Sequence, residues 1–395
     1  MQSLPCPLPP VDRSPLYLSD FSILVVKKPL FCPRPSCPHH HRPKGRWYSR
    51  FGRYHTRAHG WVNRFICNVC NKTCSEQTFH FTYYAKTRYP YPAFIYALSS
   101  TSGLRALGRC FGNRSPGSVA NHIGRLARQA MAMKARMHHR FTLNENLCAD
   151  GLVNFSVSQY FPTQTHILVG CHSQMLYFKD IITTRRSGAM SDEQKLIRDH
   201  MDALFPFDPH GVEKASLRFI KAALTLFATS AHTQKVLITD QKYEYRKVFT
   251  RIVDPTLRIS HLAVSSKLPR THYNPLFPVN YFDREVRKDI HDCVRETVCF
   301  PRNLNRHMQR LSVYEFWHNY LKPFRVGTED RRAHAVVAGM EREKAQRELI
   351  RSLSIRACIT RERIEQFDRK VWLEKLITPL APEKKTRALA RYIRS

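Results

Sequence analysis

The sequence predicts an α/β chain of several domains, on the basis of three observations. Two short-spaced cysteine pairs flank an aromatic stretch near the N-terminus, a series of short helical patterns follows, and from Asn146 onward apolar β-branched runs alternate with amphipathic helices. The chain has 395 residues and is 43% hydrophobic, enough for two or three domains with their own cores. The predicted units are an N-terminal arm (1–30), a cysteine-rich ribbon (31–85), a three-helix unit (90–140), a mixed-sheet core (145–325) and a basic helical extension (326–395).

The cysteine-rich unit predicts a structural zinc ribbon. A C-x4-C pair and a C-x2-C pair on two turns, separated by a strand-prone stretch, match a tetrahedral four-thiolate site, and four thiolates leave no open position for catalysis. The predicted ligands are Cys32, Cys37, Cys67 and Cys70. His40 remains an alternative to Cys37, and Cys74 to Cys70. Cys74 occupies a position where an apolar side chain would serve, so we expect it to pack in the core.

Residues 90–140 predict a helix-turn-helix. Helices are expected over Pro92–Leu98 and Leu104–Phe111, and a third helix begins after Ser115, which caps it ahead of a proline. The third helix would present short polar residues to base edges and arginines to phosphates. Its predicted DNA-contacting residues are Ser118, Asn121, His122, Arg125 and Arg128. We expect the ribbon and this unit to be modules separate from the core.

The core predicts three consecutive antiparallel strands followed by helices and two further strands. The expected elements are strands at Leu147–Phe155, His166–Cys171 and Gln174–Ile182, helices at Asp192–Leu204 and Val212–Thr229, a strand at Val236–Asp240, a helix at Tyr243–Phe249 and a strand at Arg258–Ser265. This order is that of the RNase H-like fold. In that topology the first and fourth strands are neighbours, which would bring Asp150 and Asp240 together.

Two carboxylates forced together repel each other unless a proton or a cation lies between them. Asp150 and Asp240 therefore predict a site for two Mg²⁺ or Mn²⁺ ions that act on phosphodiesters. A third ligand is expected on a helix over Val279–Val298, where Asp283 lies beside the apolar stripe and Arg287 shares its flank. Glu285 points away and is expected on a solvated helix face. Glu285 and Asn280 remain the alternatives for the third ligand.

The charge of the chain indicates a polyanionic partner. There are 64 Lys and Arg against 31 Asp and Glu, a formal charge of +33, and residues 1–140 contain 22 of the bases but only three acids. Nucleic acid is the expected partner, ahead of an anionic membrane surface. We expect neither a transmembrane helix nor a signal peptide. Twelve cysteines in a chain expected to be cytosolic should be reduced, which favours metal ligation where they cluster.

In the order of these features the sequence resembles bacterial insertion-sequence transposases of the DDE, RNase H-like type. The motifs that carry the resemblance span residues 31 to 326: the cysteine pairs, the helix-turn-helix, Ala149-Asp150-Gly151, Ile238-Thr239-Asp240, a basic helix ending at Phe300, and the stretch from Phe316 to Arg325. The resemblance implies binding to double-stranded DNA at element ends and at target DNA, a homo-oligomeric synaptic complex, and a cytoplasmic, nucleoid-associated protein. The family's third acid is usually Glu, whereas here the best-placed residue is Asp283.

Three functions are consistent with these features of the sequence. A transposase would cut phosphodiester bonds at its element's terminal repeats and join 3′-hydroxyl ends to target DNA. A DNA-binding regulator or transposase remnant would keep the front modules without cleaving. A structure-specific nuclease would hydrolyse DNA without strand transfer. The extension beyond residue 326 predicts helices over 340–355 and 361–376, with a role in DNA contact, multimerisation or packing.

Overall fold

A computed structural model describes residues 26–381, except 84, 87–88, 101–102, 140, 296, 298 and 326. Within this range the chain is a mixed α/β protein with two β-sheets. Most of the predicted N-terminal arm and the last part of the predicted extension, residues 1–25 and 382–395, lie outside the described residues. Among the described residues, none of the helices is both long and apolar enough to span a membrane.

The cysteine-rich unit is a three-stranded antiparallel sheet that packs on a C-terminal segment. A short helix α1 (Pro38–His41) precedes strands β1 (Tyr48–Thr56), β2 (Gly60–Cys67) and β3 (Thr73–Ser75), which pair in that order. His80 forms an isolated β-bridge with Ile355, and the Arg356 amide donates to the Phe79 carbonyl over 2.8 Å. The sheet is small, so this docking and the cysteine cluster supply much of its support.

Three helices follow the ribbon close to their predicted positions: α2 (Tyr91–Leu98), α3 (Leu104–Cys110) and α4 (Pro116–His138). The Ser115 hydroxyl accepts a hydrogen bond from the Ser118 amide over 3.2 Å, which confirms the predicted cap. Helix α4 continues for 23 residues, about 35 Å, and most of its length is buried. The third helix is therefore a central element of the fold as well as the end of a three-helix unit.

The larger sheet has five strands: β4 (Leu147–Ser156), β5 (Ser158–Gly170), β6 (Leu176–Thr183), β7 (Lys235–Asp240) and β8 (Ile259–Val264). They lie in the order β6-β5-β4-β7-β8. The first three pair antiparallel, whereas β7 pairs parallel with both β4 and β8. The prediction that the first and fourth strands are neighbours is confirmed. Strand β5 begins eight residues before the predicted start.

Helices α5 (Asp192–Leu204), α6 (Gly211–Phe227) and α7 (Tyr243–Ile252) form as predicted, and α8 covers Phe277–Asp289. The prediction of one helix over Val279–Val298 is wrong, because α8 ends at Asp289 and Ile290 is extended. After the helix ends, Ile290 is buried, and the Asp292 carbonyl accepts a hydrogen bond from the Asn154 side chain over 2.7 Å. These contacts stabilise the extended segment.

The remaining helices are α9 (Leu304–Tyr320), α10 (His334–Val337), α11 (Arg342–Ser354) and α12 (Gln366–Trp372). The helix predicted over 361–376 is shorter than expected. One hydrophobic core runs without interruption from α2–α4 through the five-stranded sheet to α9, α11 and α12. Buried Lys134 of α4 lies 3.5 Å from both Glu315 of α9 and Asp368 of α12. This corrects the expectation of a helix-turn-helix module that is separate from the core.

Candidate active site

Two of the predicted acids lie on neighbouring parallel strands. In the β4–β7 pairing Cys148 is opposite Ile238 and Ala149 is opposite Thr239, so Asp150 and Asp240 occupy the next position along each strand. Both side chains are half-buried. Burial raises the pKa of Asp240, and the negative charge of Asp150 raises it further. The topology therefore brings together two carboxylates that are 90 residues apart in the sequence.

The third predicted acid, Asp283, lies on α8 and shares a cavity of about 650 Å³ with Asp150. Its side chain is buried, and within the described part of the chain its Oδ1 atom has no hydrogen-bond partner. Burial, with the charge of Asp150 as a second cause, raises the pKa of Asp283 to about 8. An unpartnered buried carboxylate is costly, and a bound cation is one way to offset that cost. Asp240 does not line this cavity, although it interacts electrostatically with Asp150.

The wall of the acid cleft, as we call this cavity, is strongly basic. Five cationic side chains line it: Arg270, Arg284, Arg287, Lys288 and Arg295. Two of them, Arg287 and Arg270, partly oppose the rise in the pKa of Asp283. Sequence reasoning identified Arg287 but missed Arg270 and Arg295, which are separated from α8 by loops. An acidic centre with a basic wall suits metal ions together with phosphate oxygens.

The spacing of the three acids bears on which metal arrangement fits. In the described part of the chain they do not form a cluster whose carboxylate oxygens all lie within 4.8 Å of one another. A single ion would require such a cluster, because Mg²⁺–oxygen distances are about 2.1 Å. Two ions roughly 4 Å apart span a wider group, with outer ligands separated by up to about 8 Å. The donor set, all carboxylate oxygens, suits Mg²⁺ or Mn²⁺.

The two alternatives for the third ligand differ in whether they line the acid cleft. Asn280 lines the acid cleft one helical turn before Asp283 and remains an alternative. Glu285 does not line it and bonds instead to Lys322 over 2.9 Å. Burial alone would raise the pKa of Glu285, but Lys322 and Lys288 together outweigh it and hold that pKa below its usual value. The prediction of a solvated position for Glu285 is wrong, since only 13% of its side chain is exposed.

A side-chain network links Gln164 of strand β5 to the residues that follow Asp240. Gln164 of β5 accepts a hydrogen bond from Lys242 over 3.0 Å and donates to the Tyr245 hydroxyl over 3.3 Å. The Lys242 amide in turn donates to Asp240 over 3.1 Å. A Cβ atom at Gly151 would lie 2.0 Å from the Gln164 amide nitrogen, so glycine after Asp150 lets this side chain approach. The Ala-Asp-Gly sequence thus contributes to packing as well as to charge.

The four predicted zinc ligands come together in one cluster. The ligand atoms of Cys32, Cys37, Cys67 and Cys70 all lie within 4.8 Å of one another. The sulfur atoms of Cys32 and Cys70 are 3.4 Å apart, and those of Cys37 and Cys67 are 3.9 Å apart. Tetrahedral Zn–S bonds of about 2.3 Å require sulfur separations of about 3.8 Å, so the arrangement fits zinc. The geometry is therefore compatible with one structural zinc ion.

The two alternative zinc ligands lie outside this cluster. Both ring nitrogens of His40 are occupied: Nδ1 lies 2.7 Å from the Cys32 carbonyl oxygen and Nε2 lies 2.9 Å from the Thr360 hydroxyl. Cys74 packs with Phe31, Phe65 and Phe79, as predicted. Neither residue therefore competes with the four cysteines.

The predicted DNA-contacting residues of α4 divide into two groups. Asn121 is exposed and Ser118 is half-exposed, and both remain candidates. The prediction that His122 and Arg128 occupy exposed polar positions is wrong, since they are only 7% and 6% exposed. Arg125 is half-buried and donates to the Tyr83 carbonyl. Tyr91 at the start of α2 and Tyr89 just before it cover His122, an arrangement that helical periodicity alone does not reveal.

His122 has a structural role in the core. Its Nδ1 lies 2.7 Å from the Tyr91 hydroxyl, and its ring stacks on Tyr89 with centroids 4.1 Å apart. Burial lowers the pKa of His122 to about 4, with Arg125 and Arg114 adding to the effect. The ring is therefore neutral at pH 7 and joins α2 to α4.

The β1–β2 hairpin has an exposed basic and aromatic surface that sequence reasoning did not assign to DNA contact. Trp61 is 63% exposed, the Arg53 guanidinium lies 4.6 Å from its ring centroid, and the His55 ring is 5.5 Å away. We call these three side chains the ribbon face. The available signal was composition: residues 26–75 contain no Asp or Glu.

Comparisons with family models, curated proteins and solved structures found no match to this chain.

Proposed function

We propose that this protein is a DNA transposase of the DDE, RNase H-like type. The observation that carries the proposal is the convergence of Asp150, Asp240 and Asp283 on one electrostatically coupled site with a basic wall. The β6-β5-β4-β7-β8 order, with its antiparallel first half and parallel second half, supports an RNase H-like core. The order of ribbon, helices and core along the chain supports the likeness to insertion-sequence transposases.

The chemistry follows from the charges of the acid cleft. Two Mg²⁺ or Mn²⁺ ions, held by the three aspartates, would supply Lewis acidity at the scissile phosphate. Asp283 must release its proton before it can bind a cation, and its raised pKa makes that release easier near pH 8 than near pH 6. Arg270, Arg284 and Arg287 bind phosphate oxygens and hold the DNA backbone in line. Lys242 and Gln164 position Asp240.

DNA binding is proposed for two surfaces. The basic wall of the acid cleft would contact the strand that is cut, and the ribbon face would contact flanking duplex. A two-stranded β-ribbon is narrow enough for the major groove, and arginine side chains suit phosphates there. The absence of acids from residues 26–75 keeps this end of the molecule attractive to a polyanion. Ser118 and Asn121 at the start of α4 are proposed to add sequence-specific contacts.

The proposal is tested with purified protein, a supercoiled plasmid and a short duplex that ends in a recessed 3′-hydroxyl. We expect nicking of the plasmid in Mg²⁺ or Mn²⁺, none in a chelator, and joining of the labelled duplex to the plasmid. Nicking without joining would favour the nuclease. DNA binding with no cleavage under any metal condition would contradict the transposase and favour the non-catalytic regulator or remnant.

A further inference from the structure

A second cavity, of about 870 Å³, lies between the front helices and the segment that follows α8. Helix α3 and the first part of α4 form one wall, and residues 299–310 form much of the other. It shares no lining residue with the acid cleft, yet both open along the same segment. Arg295 lines the acid cleft, whereas His291 and Asp292 line the second cavity.

The second cavity combines apolar walls with basic side chains, and we call it the arginine-rimmed cavity. Its apolar lining includes Leu104, Ala106, Pro116, Ile123, Phe300 and Pro301. Arg105, Arg109 and Arg302 also line it, are exposed, and have no ion-pair partner among the described residues. Asp292 is the single acid in the lining. The cavity therefore suits a ligand that has both an apolar surface and negative charge.

Asp292 is already neutralised by two buried neighbours. Its carboxylate lies 2.9 Å from Nδ1 of His307 and 3.3 Å from Arg310. With Cys293 and His307 it forms a compact group of metal-binding residue types. A metal ion there would face the guanidinium of Arg310, so we interpret the group as a fixed wall and not as a metal site.

His307 contains an unsatisfied polar atom that is buried within this wall. Because the Asp292 carboxylate accepts from Nδ1, that nitrogen carries a proton, and Nε2 is left as the second polar atom of the ring. The His307 side chain is fully buried, and across the described residues Nε2 has no hydrogen-bond partner. Leaving such an atom unpaired costs free energy, but the atom is not exposed to the cavity, so we assign it no ligand contact.

We propose that the arginine-rimmed cavity holds one nucleotide unstacked from the DNA substrate. This inference rests on the proposed DNA-processing function. The cavity is far too small for a duplex, whereas a nucleotide has flat apolar faces, a polar edge and a phosphate on either side. The base packs against the apolar walls, while Arg105, Arg109 and Arg302 bind the phosphates. Pro116 places the N-terminus of the 23-residue helix α4 at the cavity, which also favours phosphate.

The test uses fluorescence anisotropy with three duplexes of the same sequence. One is fully paired, one has a single-nucleotide bulge carrying 2-aminopurine, and one has an abasic residue in the bulge. Extruding an unpaired base costs less than extruding a paired one, so wild-type protein should bind the 2-aminopurine bulge about tenfold more tightly than the paired duplex. The abasic bulge should lose most of that preference, which separates capture of the base from a preference for bent DNA.

Variants that fill the cavity test whether the preference for the 2-aminopurine bulge arises in the arginine-rimmed cavity. Ala120→Trp should reduce the preference for the 2-aminopurine bulge to about twofold or less and leave binding to the paired duplex nearly unchanged. Leu104→Trp is a second filling variant in case the first does not fold. Leu196→Trp on exposed α5 is the control and should behave as wild type.

Equal binding of the 2-aminopurine and paired duplexes by wild-type protein would overturn the inference. So would a folded filling variant that retains the full preference. Failure of wild-type protein to bind the paired duplex at all would instead count against the proposed function. The two proposals therefore fail in different arms of the experiment.

Discussion

The cysteine cluster and the acid cleft are two candidate metal sites with opposite constructions. The cluster joins four sulfur atoms, two from the segment before α1 and two from the end of β2 and the turn after it, all within 4.8 Å of one another. The acid cleft brings Asp150 of a strand and Asp283 of a helix into a cavity of about 650 Å³ with a basic wall. Asp240, on the adjacent strand, lies beside Asp150 but outside the lining of that cavity. A closed four-sulfur shell leaves no room for substrate, whereas an open oxygen site does. The first construction is compatible with structural zinc, and the open form of the second is the basis of the proposed chemistry.

The largest expected effect lies in the acid cleft. Asp150→Ala, Asp240→Ala and Asp283→Ala should each reduce metal-dependent cleavage by at least about a thousandfold, because a ligand is lost and the in-line geometry is no longer held. Cleavage of labelled DNA measures this. Glu285→Ala is the matched control and should retain cleavage, with a modest loss of stability because Lys322 loses its partner. Full cleavage by either β-strand variant would contradict the assignment of the acid cleft.

Removing the cysteine cluster should unfold the ribbon without directly altering the acid cleft. Wild-type protein should contain one zinc ion per chain, measured by elemental analysis. Cys67→Ser should lose it and become sensitive to protease within residues 31–80, because zinc binding contributes on the order of 10 kcal/mol to folding in such small units. Cys74→Ala, a packing change, should keep its zinc. Purified, unchelated wild-type protein without zinc would rule out the prediction.

The ribbon face should make an intermediate contribution to DNA affinity. The double variant Arg53→Ala, Trp61→Ala should bind duplex roughly 5- to 150-fold more weakly, if the aromatic contact resembles base-stacking contacts worth about 1–3 kcal/mol. The salt dependence should also become shallower by about one unit, since one phosphate contact is lost. Lys195→Ala, Leu196→Ala is the control, because it removes one cation and one exposed apolar side chain from α5. Equal effects of the two double variants would argue against a specific contact.

We also expect stability to depend on pH in the metal-free protein. The folded protein raises the pKa of Asp283 to about 8, against about 4 in the unfolded chain. In the metal-free protein, protonated Asp283 therefore contributes to the free energy of unfolding in full below pH 4. That contribution is lost as the pH rises through 8. Asp283→Asn removes the ionisable group. In a chelator it should gain about 2–5 kcal/mol relative to wild type between pH 4 and 9, measured by thermal unfolding. A constant difference across this range would contradict the raised pKa.

Excess Mg²⁺ should make the wild-type protein more stable than the Asp283→Asn variant, the reverse of the order in a chelator. It stabilises the wild-type carboxylate, so the wild-type protein should melt at a higher temperature when the ion is present, whereas the uncharged amide of the Asp283→Asn variant gains less. Such a reversal would show that Mg²⁺ binds at Asp283. A stability gain from the substitution alone would not depend on Mg²⁺.

Local pattern was sufficient for much of the fold. Alternating β-branched runs predicted all five strands of the larger sheet, and Ser115 and Ser191 predicted two helix starts, because these signals depend on neighbours within a few residues. The spacing of the cysteine pairs likewise predicted the four members of the cluster. The order of strands was enough to place Asp150 beside Asp240.

Tertiary packing decided what these patterns could not. The periodicity of α4 gives polar positions, but contacts with other segments bury His122 and Arg128, and Tyr89 and Tyr91 are the residues that pack on His122. Glu285 meets Lys322 only because α8 lies against the end of α9. Arg270 and Arg295 join the acid cleft from loops on either side of α8. Trp61 is 63% exposed, whereas Val62 and Phe65 on the same hairpin are buried. Each of these outcomes depends on contacts between distant segments, whereas the sequence by itself determined the local elements and the residues they carry.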